Sequence, residues 1–525
     1  MEIFDVVVIG SGFGGSVSAM RLAQKGYKVA ILEMGKRYRP KDFPKTNWNV
    51  KKYFWFPLLR CFGFQKITLL KKIMVLHGVG VGGGSLVYAA TLPRPLSKCF
   101  ESKAWPGSIN WREELVRWYE TAETMLGVAK NPKMFEGEKV LADLGQELGC
   151  DETYGPTDVG IYFEKPGETV SDPYFGGDGP DRTGCIHCGA CMIGCPHGSK
   201  NTLDFNYLYF AEKWGAQVFP ETKATVITPP KHENEPYVIA TVSSTKWFRK
   251  KGPSFKARKV ILAAGVLGTV ELLLKNRDIY KTLPNLSPQL GKTVRTNGEC
   301  LLGATSLEST HNLSQGIAIG ASINAGEEIK IEQVRYPKGS SAMRLLAVPL
   351  TGKGNFLVRP LKLLANIVLH LPTLLRLLTV WDWASRTVIL LVMQTSDTEL
   401  NLTLSRSLFS GFRKVLSGFS VGNAVPTFMP LAQRAAKFVA KRINGIAQNA
   451  ISEVLLDTPL TAHILGGAVL ADSPEEGVVD THHQVFGYKG LYICDGSVVP
   501  ANLGANPSLT ITALAERFCS LIPRH

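Results

Sequence analysis

Four consecutive aliphatic residues, Val6-Val-Val-Ile9, run into Gly10-Ser-Gly12-Phe-Gly-Gly15, and apolar residues then recur at helical spacing (Val17, Met20, Leu22, Ala23). A second aliphatic run, Val29-Ala-Ile-Leu32, ends on Glu33. Unbroken aliphatic runs of this length predict strands buried on both faces, so the chain opens as strand, glycine turn, helix, strand. Residues 108–150 carry Trp111, Leu115, Trp118, Tyr119 and Met125 at helical spacing and predict helix packed as plain core. Residues 166–183 are rich in Gly, Pro and Asp and predict a loop. Helix then strand is expected over 202–226, and paired strands over 237–263. The last of these runs, Lys259-Val-Ile-Leu-Ala-Ala-Gly265, leads into another helix. Alternation of apolar and polar residues over 296–352 predicts a sheet with one wet face. From about 455 the chain is rich in Gly and Ala, and residues 509–521 predict a final helix.

Two stretches break these patterns. Residues 51–72 interleave aromatics and cations (Lys51-Lys-Tyr-Phe-Trp-Phe-Pro-Leu-Leu-Arg60, then Phe62, Phe64, Lys71 and Lys72). They suit either a membrane headgroup level, the mouth of an apolar pocket, or an insertion packed on the core. Residues 355–381 contain Leu357, Leu361, Leu363, Leu364, Ile367, Leu371, Leu374, Leu375, Leu377 and Leu378 among Arg359, Lys362 and Arg376. Pro360 and Pro372 interrupt that run, so it is too broken to span a bilayer. Its composition fits a basic interfacial segment, with an ordinary core helix as the competitor.

Composition sharpens the choice of partners. With 525 residues, 45% hydrophobic and 20% charged, the chain is long enough for two intertwined domains. A net charge of +15 points to an anionic surface or to a solvated basic face. No zinc finger, RNP motif or helix-turn-helix signal occurs, so nucleic acid is not expected as a partner. No secretory signal and no uncharged run of about 20 apolar residues is present, and a cytoplasmic protein, peripheral to a membrane at most, is expected. The ten cysteines do not form a secreted disulfide framework.

The opening motif carries chemistry at each position. Gly10 permits the tight turn, Gly12 admits a pyrophosphate against backbone N–H groups, and Gly15 lets helix and strand approach. Glu33, 23 residues past Gly10, stands where an acid receives the ribose hydroxyls of an adenosine dinucleotide. The motif alone leaves NAD and FAD open. The glycine-rich segment Gly78 to Ser85, including Gly82 and Gly83, suits backbone lying against a flat ligand. Cys185-x-x-Cys188-x-x-Cys191-x-x-x-Cys195-Pro has the spacing of a bacterial ferredoxin run, a candidate iron–sulfur ligand set. In two-cluster ferredoxins the fourth cysteine serves the other cluster, and no second run exists here. Structural thiols are the alternative.

The end of the chain decides the cofactor. Gly490-Leu-Tyr-Ile-Cys-Asp495-Gly496-Ser-Val-Val-Pro-Ala-Asn-Leu-Gly-Ala-Asn506-Pro-Ser resembles the closing motif of the glucose–methanol–choline (GMC) oxidoreductases. Gly78 to Ser85 is similar to that family's flavin segment, and the motifs fall in family order over nearly the whole chain. Gly82-Gly-Gly-Ser-Leu-Val, Lys200-Asn-Thr-Leu, Arg335-Tyr-Pro-Lys-Gly and Thr461-Ala-His463-Ile-Leu-Gly-Gly resemble the actinobacterial-type cholesterol oxidase branch. The resemblance implies α/β architecture: a Rossmann-like FAD-binding domain interleaved with an α+β substrate domain on a large antiparallel sheet. Residues 1–95, 180–305 and 455–525 would form the FAD domain, 96–179 a helical and Cys-loop insertion, and 306–454 the substrate domain. It implies noncovalent FAD, a sterol or other large apolar alcohol as substrate, and O2 or another acceptor for the electrons. An alcohol dehydrogenase passing electrons to a quinone or carrier is the alternative. His463, Asn506 and Glu332 match the catalytic positions, Glu332 as the carboxylate that moves the steroid double bond. Gly10, Gly12, Gly15, Glu33, Gly78, Gly82, Gly83, Ser85, Val226, Asp495 and Gly496 fall to the cofactor. Ile464 stands where the family has proline, and Tyr88 where sterol oxidases have asparagine.

Overall fold

The structure, a computed structural model, describes residues 2–246, 251–369, 371, 372, 375, 380, 382–396, 398–406, 414–421 and 425–525. The strand Ile3–Ile9 lies parallel between Val29–Leu32 and Phe255–Leu262, which buries Val6, Val7 and Val8 completely. Gln217–Phe219 adds a parallel strand beyond Val29–Leu32, while Tyr237–Ser243 and Thr222–Thr228 continue antiparallel from the first half of Phe255–Leu262. Leu491–Ile493 joins the second half of that strand in parallel, so residues almost 500 positions apart share one sheet. The Phe13–Gln24 helix packs on the Ser508–Leu521 helix, and Arg21 meets Glu516 at 2.7 Å.

A second sheet of seven strands runs Ala347–Pro349, Gly445–Ala450, Cys300–Ser306, Thr387–Gln394, Ile329–Val334, Ile319–Asn324, Gly155–Pro156, antiparallel throughout. The Pro430–Arg442 helix covers one face. Strand periodicity divides Thr387–Gln394 between two environments: Val388, Leu390 and Val392 join the core under that helix, while Ile389 and Leu391 line a cavity. The α/β class with a large antiparallel sheet is therefore the observed architecture. Two smaller assemblies connect the sheets. Val294–Arg295 pairs with Leu465–Gly466 and Glu399–Arg406, and Ile73–Gly78 pairs with Gln65–Leu70 and Leu460–Thr461.

Several local expectations need revision. The 108–150 stretch divides into Trp111–Glu114, Val116–Leu126 and Glu136–Leu148. Gly127, at φ +60°, ends the second helix, and Val128–Lys130 then pairs with Asp158–Gly160 as a strand. Within 166–183 a short hairpin forms from Thr169–Val170 and Arg182–Thr183, with the Asp172 carboxylate accepting N–H bonds from Tyr174, Phe175, Gly177 and Gly179. The 51–72 segment buries Tyr53 and Phe64 but leaves Leu58 and Leu59 exposed. The Val358–Leu369 helix buries Leu363 and Arg359, the latter 2% exposed, whereas Leu361, Leu364, Val368 and Leu369 face solvent. The Arg359 guanidinium donates to the carbonyls of Glu453 and Thr427, which explains its burial. Leu374, Arg376, Leu377 and Leu378 lie outside the described residues. Among the described residues no helix is long and apolar enough to cross a membrane.

Candidate active site

At the start of the chain the backbone leaves a cradle. Gly10 sits at φ +106°, and a Cβ there would lie 2.2 Å from the Ala263 carbonyl oxygen. A Cβ on Gly14 would lie 1.8 Å from the Cys494 carbonyl oxygen, so only glycine lets the helix seat on the closing strand. Gly15 meets the Gly10 carbonyl in the same way, whereas Gly12 opens onto empty space. First-turn N–H groups of an α-helix have no intrahelical acceptor, so that space is set for an anion. The Gly78 to Ser85 segment folds over the cradle. Gly83 packs on Gly12, Gly82 N–H donates to Ser11 Oγ at 3.2 Å, and Ser85 Oγ accepts from Leu203 N–H while donating to Gly82. Gly78 packs against the Gly83 carbonyl.

Glu33 is buried at the end of Val29–Leu32. It accepts from Ser11 Oγ at 2.7 Å and Gly35 N–H at 2.7 Å, and from the N–H groups of Ser11 and Gly80. Burial raises its pKa, and those neutral donors only partly oppose the rise. Val226 lies on the strand Thr222–Thr228, whose first residue donates to the Glu33 carbonyl. Asp495 uses its oxygens on the protein itself, accepting from Gly265 N–H, Thr269 Oγ1, and both Ser497 N–H and Oγ. Gly496 follows it in a buried turn. Asp495 thus ties the closing strand to the N-terminus of the Gly265–Asp278 helix, a scaffolding contact at the cradle floor. Open space at Gly12, a helix N-terminus and a buried acid at the ribose position fit an adenine dinucleotide.

Beyond the cradle lies a cavity of about 300 Å³, walled mostly by apolar side chains such as Val87, Leu301, Ile389, Leu391 and Trp383. Gly78, Gly84, Asn506 and Ser508 form the part nearest the cradle. His463 projects here from the bend between Leu460–Thr461 and Leu465–Gly466. Its Nε2 is 3.3 Å from Asn506 Nδ2, which also donates to Glu332 Oε2 at 3.3 Å. Three residues separated widely in sequence are thus in contact. Glu332 is fully buried on Ile329–Val334, with one oxygen unpartnered and Lys330 Nζ at 3.8 Å from the carboxylate.

Sequence patterns missed Glu299. Its Oε1 lies 3.0 Å from His463 Nδ1 and accepts from Thr461 Oγ1 at 2.6 Å, while Oε2 accepts from Ala462 N–H at 3.0 Å. The Nδ1 to Oε1 contact falls outside hydrogen-bond geometry, and it becomes an ion pair when the imidazole is protonated. Burial works to lower the His463 pKa, but the Glu299 charge and contact and the more distant Glu332 outweigh it, and the net shift is upward. Burial raises Glu299 and His463 lowers it, with a net downward shift. The available signal was a lone acid opening the apolar run Glu299-Cys-Leu-Leu-Gly. His77 was also missed. It lines the cavity, touches Thr68 Oγ1 at 2.8 Å, and is pushed down to about 3 by burial and then by Lys66, so it stays neutral.

The cysteine run does not build a metal centre. Among the described residues no group of three or more His, Cys, Asp or Glu is placed to hold a metal ion. Cys185, Cys188, Cys191 and Cys195 line a void of about 10 Å³, room for one water and far less than a cluster needs. Burial pushes Cys185 and Cys188 upward and Cys191 up to about 12, so without a metal these three are thiols. Lys200 sits beside them and donates to the carbonyls of Leu86, Tyr88 and Cys191, fixing the glycine segment. The Tyr88 hydroxyl donates to the Asn201 carbonyl, so its polar end is occupied by the protein.

A dinucleotide cradle adjoining an apolar cavity, with His463 and Asn506 on the cavity wall, fits a flavin-dependent alcohol oxidoreductase. Residues 179–276 and 425–515 match the family description GMC oxidoreductase, and residues 5–40 match FAD binding domain. The chain is 43% identical over 528 residues to a cholesterol oxidase of Acinetobacter baumannii, covering 99% of this chain and 94% of that protein. It is 44% identical over 531 residues to a cholesterol oxidase of Mycobacterium tuberculosis, covering 99% and 91%. The chain belongs to the GMC oxidoreductases, in the cholesterol oxidase branch. Among solved structures, a formate oxidase of Aspergillus oryzae superposes with TM-score 0.64 at 14% identity, covering 99% of this chain and 98% of that one. A pyridoxine 4-oxidase gives TM-score 0.63 at 13% identity, covering 98% of each chain. At such identities these two speak for the fold alone.

Proposed function

We propose that the chain oxidises the 3β-hydroxyl of a sterol to the ketone, using FAD and reducing O2 to hydrogen peroxide. One observation carries the proposal: the His463 Nε2 edge and the Asn506 amide meet at the end of an apolar cavity that adjoins the dinucleotide cradle. Bound FAD supplies the hydride acceptor and returns the electrons to O2. The chain supplies the rest. The apolar wall orients a rigid hydrocarbon and excludes water. His463 accepts the hydroxyl proton at Nε2, and Asn506 donates to the substrate oxygen. Glu332 would carry a proton between ring carbons and so shift a double bond; its Oε1 accepts no hydrogen bond and lies 3.8 Å from Lys330 Nζ. O2 as the acceptor follows the two relatives, both named cholesterol oxidases.

The outward-facing leucines of Val358–Leu369 support peripheral docking on an anionic membrane. That helix packs against Ala347–Pro349, and the preceding turn supplies Met343 and Leu346 to the cavity wall. An exposed apolar face with Lys362 beside it and a net charge of +15 suit such a surface.

Purified holoenzyme mixed anaerobically with cholesterol tests the proposal. The flavin band bleaches, and admission of O2 restores it with one peroxide per ketone. A flavin that stays oxidised with cholesterol but bleaches with a long-chain primary alcohol overturns the sterol assignment. A product showing the unconjugated ketone alone removes Glu332 from its role.

A further inference from the structure

We infer that Glu299 is a positioning residue for the oxidation: its carboxylate holds the Nδ1 side of His463, leaving Nε2 as the atom that receives the alcohol proton. This rests on the alcohol-oxidising assignment above and adds to it the group that prepares the base.

Glu299 is built into the turn that carries the histidine. Its side chain is fully buried, and both oxygens are engaged by Thr461, Ala462 and His463, three consecutive residues. The Thr461 hydroxyl that donates to Glu299 also accepts from the His463 N–H at 3.0 Å, so carboxylate and ring share one frame. A second observation agrees independently. Asn506 Nδ2 approaches Nε2 at 3.3 Å, and an amide N–H can only donate, so Nε2 presents its lone pair. The ring proton then sits on Nδ1, facing Glu299. Both neighbours select the same tautomer.

The surrounding charges are few. Glu299 faces the ring from the start of Cys300–Ser306, and Glu332 faces it from Ile329–Val334 with Lys330 beside it. Asn506 comes from the closing segment, and neutral His77 lines the cavity from Ile73–Gly78. Glu299 alone touches the ring with a charge in this set. As the alcohol O–H breaks, its proton goes to Nε2 and C=O forms, the hydride of the carbinol C–H being what FAD held in the cradle would accept. The positive ring left behind is then neutralised at 3.0 Å by Glu299. The net upward pKa shift of His463 and downward shift of Glu299 have the signs this requires.

The test compares wild-type, E299Q and E299D holoenzymes labelled with 15N-histidine, the His463 signal being identified by its loss in H463N. In wild type His463 titrates above the ordinary value of about 6.5. E299Q moves that midpoint down by roughly one pH unit or more, moves the acid limb of flavin reduction down with it, and slows reduction by roughly 10–100-fold. E299D keeps the raised midpoint while slowing reduction, because charge remains and reach is lost. An E299Q midpoint equal to wild type overturns the inference. Should E299Q fail to load FAD, E299D decides: a raised midpoint with slowed reduction supports it, and an unchanged rate overturns it. A wild-type flavin that cholesterol does not bleach refutes the sterol assignment, while the substrate-free titration still reads Glu299.

Discussion

Glu33 supports the cradle and Glu299 lines the cavity, both buried and both accepting several hydrogen bonds, yet their acidity moves in opposite directions. Glu33 is met only by neutral donors, the hydroxyl of Ser11 and backbone N–H groups, and burial dominates, so its pKa rises. Glu299 is met by an imidazole, and its pKa falls. Neutral donors orient a carboxylate and leave it able to exchange partners with ribose hydroxyls. A charged partner commits it. The nucleotide end is therefore a cradle assembled largely from backbone, and the cavity end is a carboxylate–imidazole pair assembled from side chains.

The comparison can be strained from either side. The largest expected effect is at the alcohol end: H463A lowers the rate of cholesterol-dependent flavin reduction by about 10²–10⁴-fold, the range for losing a general base. Stopped-flow absorbance checks this, with FAD content unchanged. At the nucleotide end G14A acts on assembly instead, since its Cβ would strike the Cys494 carbonyl. A loss of at least 1–3 kcal/mol of stability is expected, visible as a lowered Tm and substoichiometric FAD in the absorbance ratio. E33Q should weaken FAD binding roughly tenfold, the effect of about 1.4 kcal/mol, without moving the pH limb of flavin reduction. A limb that moved in E33Q would erase the distinction between the two carboxylates.

The pair also predicts how stability follows pH. Glu299 has a lowered folded pKa, so its contribution is present above its unfolded value of about 4.3 and disappears as pH falls through the folded value. His463 has a raised folded pKa, so its contribution is complete below about 6.5 and disappears as pH rises through the folded value. The Tm difference between wild type and H463N should peak between those limits. The smallest effect is expected outside both sites. L361D on the exposed helix face should reduce co-sedimentation with phosphatidylglycerol vesicles roughly fivefold, about 1 kcal/mol for a leucine only partly buried in the interface, and leave detergent-solubilised turnover unchanged.

The nucleotide end was legible because its parts are contiguous: Val6 to Ile9, the glycines and Glu33 lie within one supersecondary unit, and each glycine answers a local steric demand. The closing motif, with Asn506, was legible through family resemblance. Glu299 was not, because nothing local marks it. Residue 299 and residue 463 meet through pairings distant in sequence, Val294–Arg295 with Leu465–Gly466 among them, and no periodicity in either segment encodes that register. The Val358–Leu369 helix was ambiguous because apolar spacing gives a helix its stripe without saying which way the stripe turns. There the buried Arg359, held by two carbonyls, decides the orientation. The cysteine spacing misled for a related reason. A motif records intervals along a chain, whereas a cluster needs volume, and here the surrounding side chains have filled it.

The seat of Gly14 on the Cys494 carbonyl has a consequence for biogenesis. A chain emerging from the ribosome presents its phosphate-binding turn first, but that turn's support arrives with residues near 495, and its covering helix after 508. Contacts at such sequence separation form late and slowly. Flavin capture then waits for the residues near 495 and beyond 508, and nascent chains stalled before residue 490 should emerge without yellow colour however much FAD the lysate contains.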